Sequence, residues 1–184
     1  RANQETTSLS RPLGKLVDMG YLEREIPFGE NPKNSKKSLY KIVDPFLNFY
    51  YKFVVPNRSF IELGRTRPIA NQMQVQFPGF TGECWERICR KTISGNEVDG
   101  ICYGMASRWW GNISRDKRIE LDVVAESLDK KNLLVGECKW TGTEDASRLI
   151  HQLKEKASLL PFAEGHEIVP VLFLKEPAIH TEGC

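Results

Sequence analysis

Three charged side chains interrupt the apolar runs of residues 119–140, IELDVVAESLDKKNLLVGECKW: Asp122 in the first run, Glu137 and Lys139 in the second. A carboxylate is costly inside a strand that otherwise looks buried, so these three ask for a chemical reason. Side chains alternate along a strand. Glu137 and Lys139 therefore share a face. In the first run Ile119, Leu121 and Val123 are expected to point one way, and Glu120, Asp122 and Val124 the other. A two-residue turn at Asp129-Lys130 makes paired residue numbers sum to 259 and sets Asp122 opposite Glu137. Moving the turn by one residue gives 261 and sets Asp122 opposite Lys139. Either register brings the three groups to one face.

Two carboxylates directly opposite repel. A divalent cation between them turns that cost into binding energy. Mg²⁺ (or Mn²⁺) suits such a pair, since it takes oxygen ligands and keeps waters and substrate phosphate in its shell. A metal so held activates water and relieves charge on a phosphodiester. Lys139, two residues after Glu137, can orient or deprotonate the attacking water, or offset phosphate charge. The competing reading is plain: E-x-K on an exposed strand is a solvated face.

The elements around the hairpin bear on that choice. Phe80, Cys84, Trp85, Ile88 and Cys89 recur at helical spacing before it, and residues 100–118, with Trp109-Trp110, form loop or strand. After it, Thr143, Glu144 and Asp145 start a helix whose core face is Ala146, Leu149, Ile150, Leu153, Ala157 and Leu160, stopped by Pro161. Residues 168–174, IVPVLFL, read as a buried-type strand, with Pro170 pointing to an edge or a strand start. The order helix, strands, helix, strand is α/β.

The first part of the chain reads differently. Residues 10–20 form a helix capped by Ser8 or Ser10, with Pro12 in its first turn and Gly20 closing it. A strand at 21–26, a polar loop PFGENPKNSKKS and a strand at 39–43 come next. That order is the second half of a winged helix, with Lys33, Lys36 and Lys37 on the wing and Arg11 and Lys15 on its recognition helix. Asp44-Pro45 starts an aromatic helix that ends at Pro56, with Phe46, Phe49, Tyr50 and Phe53 on one stripe and Tyr51 and Val54 widening it; such a helix is expected to be buried on more than one side. Residues 57–78 are expected to be a connection with some helix. The division is therefore 1–64, a winged-helix region with its linking helix, and 65–184, an α/β domain.

Composition narrows the classes. A hydrophobic fraction of 40% and a charged fraction of 27% are those of a soluble globular protein. No apolar run approaches the ~20 residues of a membrane span, and residues 1–11 carry no signal peptide. Five cysteines, an odd number with no C-x-x-C, argue against a disulfide framework or a structural zinc, and a cytoplasmic setting is expected. Residues 1–64 hold 10 Lys+Arg against 7 Asp+Glu, and residues 65–184 hold 16 against 17. Contact of the first part with nucleic acid is compatible with that asymmetry. The chain begins without Met inside a structured region and is read as a fragment of a longer protein.

Asp122 followed by Glu137-Cys138-Lys139 resembles the D…(D/E)-x-K motif of the PD-(D/E)XK, or restriction-endonuclease-like, nucleases, and Trp85-Glu86 resembles the acid of their first helix. Residues 39–53, LYKIVDPFLNFYYKF, with Pro56-Asn57, Gly82, Trp109-Trp110-Gly111, residues 120–125 and residues 136–140, resemble in order the C-terminal region of archaeal and bacterial AAA-type (DEXX-box) ATPases, which carry a domain of unknown function there. The resemblance implies a partial winged helix followed by a restriction-endonuclease-like α/β domain with a mixed central sheet. It implies Asp122, Glu137 and the Cys138 carbonyl as metal ligands, with Lys139 catalytic and Glu86 an auxiliary acid. Leu121 stands where the motif's name has Pro. Gln152 lies on the helix where some members carry a functional Gln. An ATPase module is implied upstream in the same full-length chain. This chain has no G-x-x-x-x-G-K-[ST], so no ATP site is expected in it.

Two functions are compatible with these residues. One is a Mg²⁺-dependent deoxyribonuclease domain attached to an ATPase. The other is a module without catalysis, which either holds DNA phosphates through Arg11, Lys15, Lys33, Lys36 and Lys37 or couples and oligomerises ATPase subunits through the aromatic helix. Trp109-Trp110 and Cys138 are read as core packing in both.

Overall fold

A computed structural model describes residues 6–115, 117–140 and 145–176. The chain divides into two compact units: residues 1–26 with 35–77, and residues 27–34 with 78–184. The polar loop expected as a wing is thus shared between them, Lys33 falling in the second unit and Lys36 and Lys37 in the first.

In the first unit, helix α1 (Thr6–Asp18) precedes strands β1 (Leu22–Glu25) and β2 (Leu39–Ile42), which pair antiparallel. Ser8 and Ser10, expected before the helix as its cap, lie inside α1, and Pro12 lies in its interior rather than its first turn. Gly20 does close the helix: its φ is 75°, and its N–H donates to the Val17 carbonyl.

Asp44 caps α2 (Pro45–Phe49), its carboxylate accepting from Leu47 N at 2.9 Å. The helix does not end at Pro56. A π-helical turn (Tyr50–Val54), a 3₁₀ turn (Val55–Asn57) and α3 (Arg58–Glu62) carry it on. Pro56 sits in the first turn of the 3₁₀ segment, where its missing N–H costs nothing. The aromatic stripe is only partly covered: Phe53 is buried, but Phe46 is 69% exposed and Tyr51 58%. The expectation of burial on several sides fails among the described residues.

Residues 57–78, expected as a connection with some helix, are helical over most of their length. They feed α4 (Arg67–Ile93), one helix that accepts Pro68 near its start and Pro78 inside it. Pro78 removes one backbone donor from the helix interior. Its own carbonyl accepts from Thr81 Oγ1 at 3.0 Å.

The second unit is α/β with a mixed central sheet. A small hairpin, β3 (Glu97–Val98) and β4 (Ile101–Cys102), leads into β5 (Ser107–Asn112), β6 (Arg118–Glu126) and β7 (Asn132–Lys139), which run antiparallel. Helix α5 (Ala146–Ser158) then crosses over to β8 (Glu167–Leu174), parallel to β7. The order is β5-β6-β7-β8. Pro170 therefore stands on an edge strand, as its missing N–H requires. Thr143 and Glu144 lie outside the described residues; Asp145 caps α5 by accepting from Ser147 N and Arg148 N.

Both sheet faces are covered, so neighbouring residues on one strand are buried together. Leu153, Ala157 and Leu160 pack from the α5 side on Trp109, Ile119, Leu121, Val124, Leu133 and Val135, and Leu149 of α5 is buried as well. Cys89 and Ile93 of α4 pack on Tyr103, Val123, Ala125 and Leu134. Trp109 and Trp110 are both buried. Of the stripe expected on the helix before the hairpin, Phe80 and Cys89 are buried while Ile88 is 56% exposed.

Candidate functional site

The hairpin takes the register in which residue numbers sum to 259, with Val123 paired to Gly136 and Glu126 to Leu133. The turn is not the expected two-residue one. Ser127 N–H donates to the Asn132 carbonyl, which leaves the four residues 128–131 as the loop. The Ser127 hydroxyl organises it, donating to Asp129 and accepting from Lys131 N and Asn132 N. Lys130 has a φ of 60°, the left-handed conformation such a loop needs.

Regular alternation breaks at Asp122. Leu121 and Val124 lie in the same core, and Val123 lies in the other. The expected grouping of Val123 with Leu121 is thus overturned. The cause is a bulge: the β5–β6 register shifts between Ser107 and Trp109, so Asp122 and Val123 together oppose Arg108. The β6–β7 ladder also ends here, at Val123 and Gly136.

The Asp122 carboxylate replaces the missing rung. Its Oδ2 accepts from Cys138 N at 2.8 Å. Peptide groups on a central strand address its two neighbours alternately. Lys139 bonds toward β8, its carbonyl accepting from Lys175 N at 3.1 Å. The Cys138 peptide, carbonyl included, therefore faces β6 and Asp122.

Glu137 and Lys139 share the α5 face of β7. Lys139 Nζ lies 3.1 Å from Glu137 Oε1, and the other carboxylate oxygen accepts from Lys156 Nζ of α5 at 2.9 Å. Burial pushes the Asp122 carboxyl above the usual carboxylate range; the Cys138 N–H opposes that shift, the Glu137 charge adds to it, and Arg108 and Lys139 oppose it. The Glu137 charge is thus felt at Asp122, as the register requires.

Glu86 is tied in from behind. Arg90, one turn along α4, is 3.6 Å from the Glu86 carboxylate and donates to the Asp122 carbonyl at 2.8 Å. Cys138 points to the α4 side and hydrogen-bonds Cys89; that bond and burial push its thiol well above the usual range. Cys84, Cys89, Cys102 and Cys138 are all free thiols.

Sequence spacing does not single out Arg90, Arg108 or Lys156. The trace of Arg90 is its position four residues after Glu86 and beside Cys89. That of Lys156 is its place beside Ala157, at the border of the apolar face of α5. Gln152, by contrast, is exposed. Arg11, Lys15, Lys33, Lys36 and Lys37 are all exposed, Arg11 and Lys15 one turn apart on α1.

The donor set fits a hard divalent cation: two carboxylates, with the Glu137 charge adding to the cost of ionising Asp122, and a peptide carbonyl on the same side. Among the described residues, no three His, Cys, Asp or Glu side chains gather into a metal-binding group. A cation at this site would rest on two side chains, the carbonyl, and whatever a ligand brings. No helix among the described residues is long and apolar enough to cross a membrane.

Fold and site together define an α/β protein with a bulged charged cluster where two central strands part. The family model DUF234, "Archaea bacterial proteins of unknown function", matches residues 50–150, over half of the chain, and the protein belongs to that family. It is similar to a curated protein of Methanocaldococcus jannaschii, "Uncharacterized protein MJECL04", being 26% identical over 159 residues. That match covers 84% of this chain and 34% of the relative, so the chain spans about a third of the relative's length. No solved structure matches it.

Proposed function

We propose that the second unit is a Mg²⁺-dependent deoxyribonuclease domain of the PD-(D/E)XK type, carried with an AAA-type ATPase in the full-length cytoplasmic protein. The observation that carries the reading is the end of the β6–β7 ladder. There Asp122 and Glu137 come together on parting strands, with Lys139 3.1 Å from Glu137. The order of α4, the antiparallel β5, β6 and β7, the α5 crossover and the parallel β8 supports it, because that frame presents strand ends side by side to a substrate.

Asp122, Glu137 and the Cys138 carbonyl would hold the cation. When bound, it supplies charge relief to a phosphodiester and polarises a water nucleophile. The protein's own part is positional. The Cys138 N–H fixes the Asp122 carboxylate, and Arg90 fixes the Asp122 peptide from the far side. Lys139 stands on the Glu137 face, where its ammonium can donate to a phosphate oxygen. Glu86 acts through Arg90 rather than on substrate. Arg11, Lys15, Lys33, Lys36 and Lys37 supply phosphate contacts.

One observation favours a second reading, a DNA-binding or ATPase-coupling module without catalysis. Both Glu137 oxygens already carry ammonium partners, so the cluster is neutralised without metal. Cleavage of plasmid and single-stranded DNA with Mg²⁺ or Mn²⁺ separates the two. Loss of cleavage in both Lys139→Ala and Asp122→Ala, with the fold retained, is expected. If the unsubstituted full-length protein binds DNA with a steep salt dependence yet cuts nothing, the nuclease reading fails.

A further inference from the structure

Lys156 is the side chain the nuclease reading leaves without a role, and it holds the shortest contact Glu137 makes. Its ammonium sits 2.9 Å from Glu137 Oε2, while Lys139 takes Oε1 at 3.1 Å. Two carboxylates, Asp122 and Glu137, therefore face two ammonium groups. The Arg108 guanidinium adds a third cation, itself paired with Glu120. A divalent cation entering this cluster meets ammonium groups on both oxygens of one of its ligands. It also raises the local charge by two with nothing to offset it.

A nucleic-acid backbone carries the missing anions. Glu137 is largely buried, with 17% of its side chain exposed, whereas Lys156 keeps 35% of its own exposed at the end of a four-carbon stem. Glu137 thus stays in place on β7, and Lys156 is the partner able to swing from it to a phosphate oxygen. Loss of a partly exposed ion pair costs the fold little.

We propose that Lys156 is a positioning residue that blocks Glu137 in the free protein and passes to a backbone phosphate when nucleic acid binds, so that divalent-cation binding is coupled to binding of a phosphodiester chain. This rests on the nuclease reading of the site. Linkage makes the coupling reciprocal: the polyanion tightens the cation as much as the cation tightens the polyanion.

The test is Mn²⁺ binding, tracked by the spin-resonance signal of free Mn²⁺. Titrations are made on the full chain with and without a phosphorothioate DNA duplex that resists cleavage. The unsubstituted protein is expected to bind Mn²⁺ weakly alone and about tenfold more tightly with duplex, within the usual range of coupling between sites. Lys156→Gln is expected to bind Mn²⁺ about tenfold more tightly than the unsubstituted protein when no duplex is present, with little further gain from it. Lys156→Arg, which keeps the cation, is expected to behave as the unsubstituted protein. Mn²⁺ affinity unchanged or weakened in Lys156→Gln, with the duplex effect intact, overturns the role of Lys156 and leaves the metal site standing. Tight, duplex-independent binding in the unsubstituted protein overturns the coupling. No Mn²⁺ binding in any variant, with or without duplex, overturns the nuclease reading and this inference with it.

Discussion

Gly136 is the residue before the motif glutamate, and its neighbours leave no room for a methyl group. A Cβ placed there would lie 2.8 Å from Phe173 Cε2 and 2.9 Å from Val123 Cβ. Ordinary carbon contacts are about 3.5–4.0 Å, so each approach is too close by more than half an ångström. The Phe173 ring edge can swing. Val123 Cβ cannot, because it is one bond from the β6 backbone that pairs with Gly136 itself. Overpacking of this kind costs about 1–3 kcal/mol. Alanine returns about 0.5–1 kcal/mol of the chain entropy that glycine loses on folding. Gly136→Ala should therefore destabilise the second unit by up to about 2.5 kcal/mol, lowering its melting temperature by as much as roughly 10 °C for a domain of this size. Chemical denaturation and calorimetry read this directly. Phe173→Leu in the same chain should recover part of the loss, with a coupling energy of about 0.5–1 kcal/mol in the double-mutant cycle. Gly82→Ala is the contrast, since nothing lies within 4 Å of its Cβ position on α4, and it should stabilise. A stabilising Gly136→Ala would refute the packing of β7 between Val123 and Phe173.

Asp122 predicts a pH signature. Its folded-state carboxyl is raised above 3.8, so the folded protein holds that proton more tightly than the unfolded chain does. Stability from this group is complete below 3.8 and is lost as pH rises through the folded value. Asp122→Asn, whose amide oxygen can still accept from Cys138 N, should be more stable than the unsubstituted protein at pH 7, with the advantage shrinking toward pH ~4; urea midpoints that differ equally at both pH values would contradict it. Leu153, 1% exposed on α5, should cost about 2–5 kcal/mol on truncation to alanine, whereas Gln152→Ala next to it should stay within about 0.5 kcal/mol; equal effects in denaturant melts would misplace the core face.

How much of this was legible in the sequence depends on what set each feature. The hairpin register was legible to within two choices, sums of 259 and 261, because a polar stretch centred on Asp129-Lys130 leaves few places for the chain to turn; the structure takes the first. The turn itself was not, because a Ser127 hydroxyl holds a longer loop in the same register. The face of Asp122 was read from strict alternation, which a bulge opposite Arg108 breaks; nothing local to residues 119–126 announces that bulge. The apolar face of α5 came directly from its spacing. The run of α4 through Pro68, the amide-rich residues 71–76 and Pro78 did not. Each of those features taken alone argues for a break, and the helix is decided instead by the packing of Phe80, Cys89 and Ile93 in its later turns. Arg90 and Lys156 were hidden for a related reason. Long basic residues on a helix look solvated until the strand they reach is placed beneath them.

Pro170 has a consequence beyond marking an edge. On β8, Glu167 N–H donates to the Lys131 carbonyl and Lys175 N–H to the Lys139 carbonyl, so odd-numbered residues bond inward to β7 and even-numbered ones face out. The proline thus deletes a donor from the outer side of the strand, in the middle of the run IVPVLFL. A seven-residue apolar edge with every donor intact is a template for strand addition by another chain. Pro170 interrupts that template without removing any bond to β7. The same ring that leaves the sheet intact keeps its margin from recruiting copies, and Pro170→Val should trade a small gain in strand propensity for light scattering that rises with protein concentration.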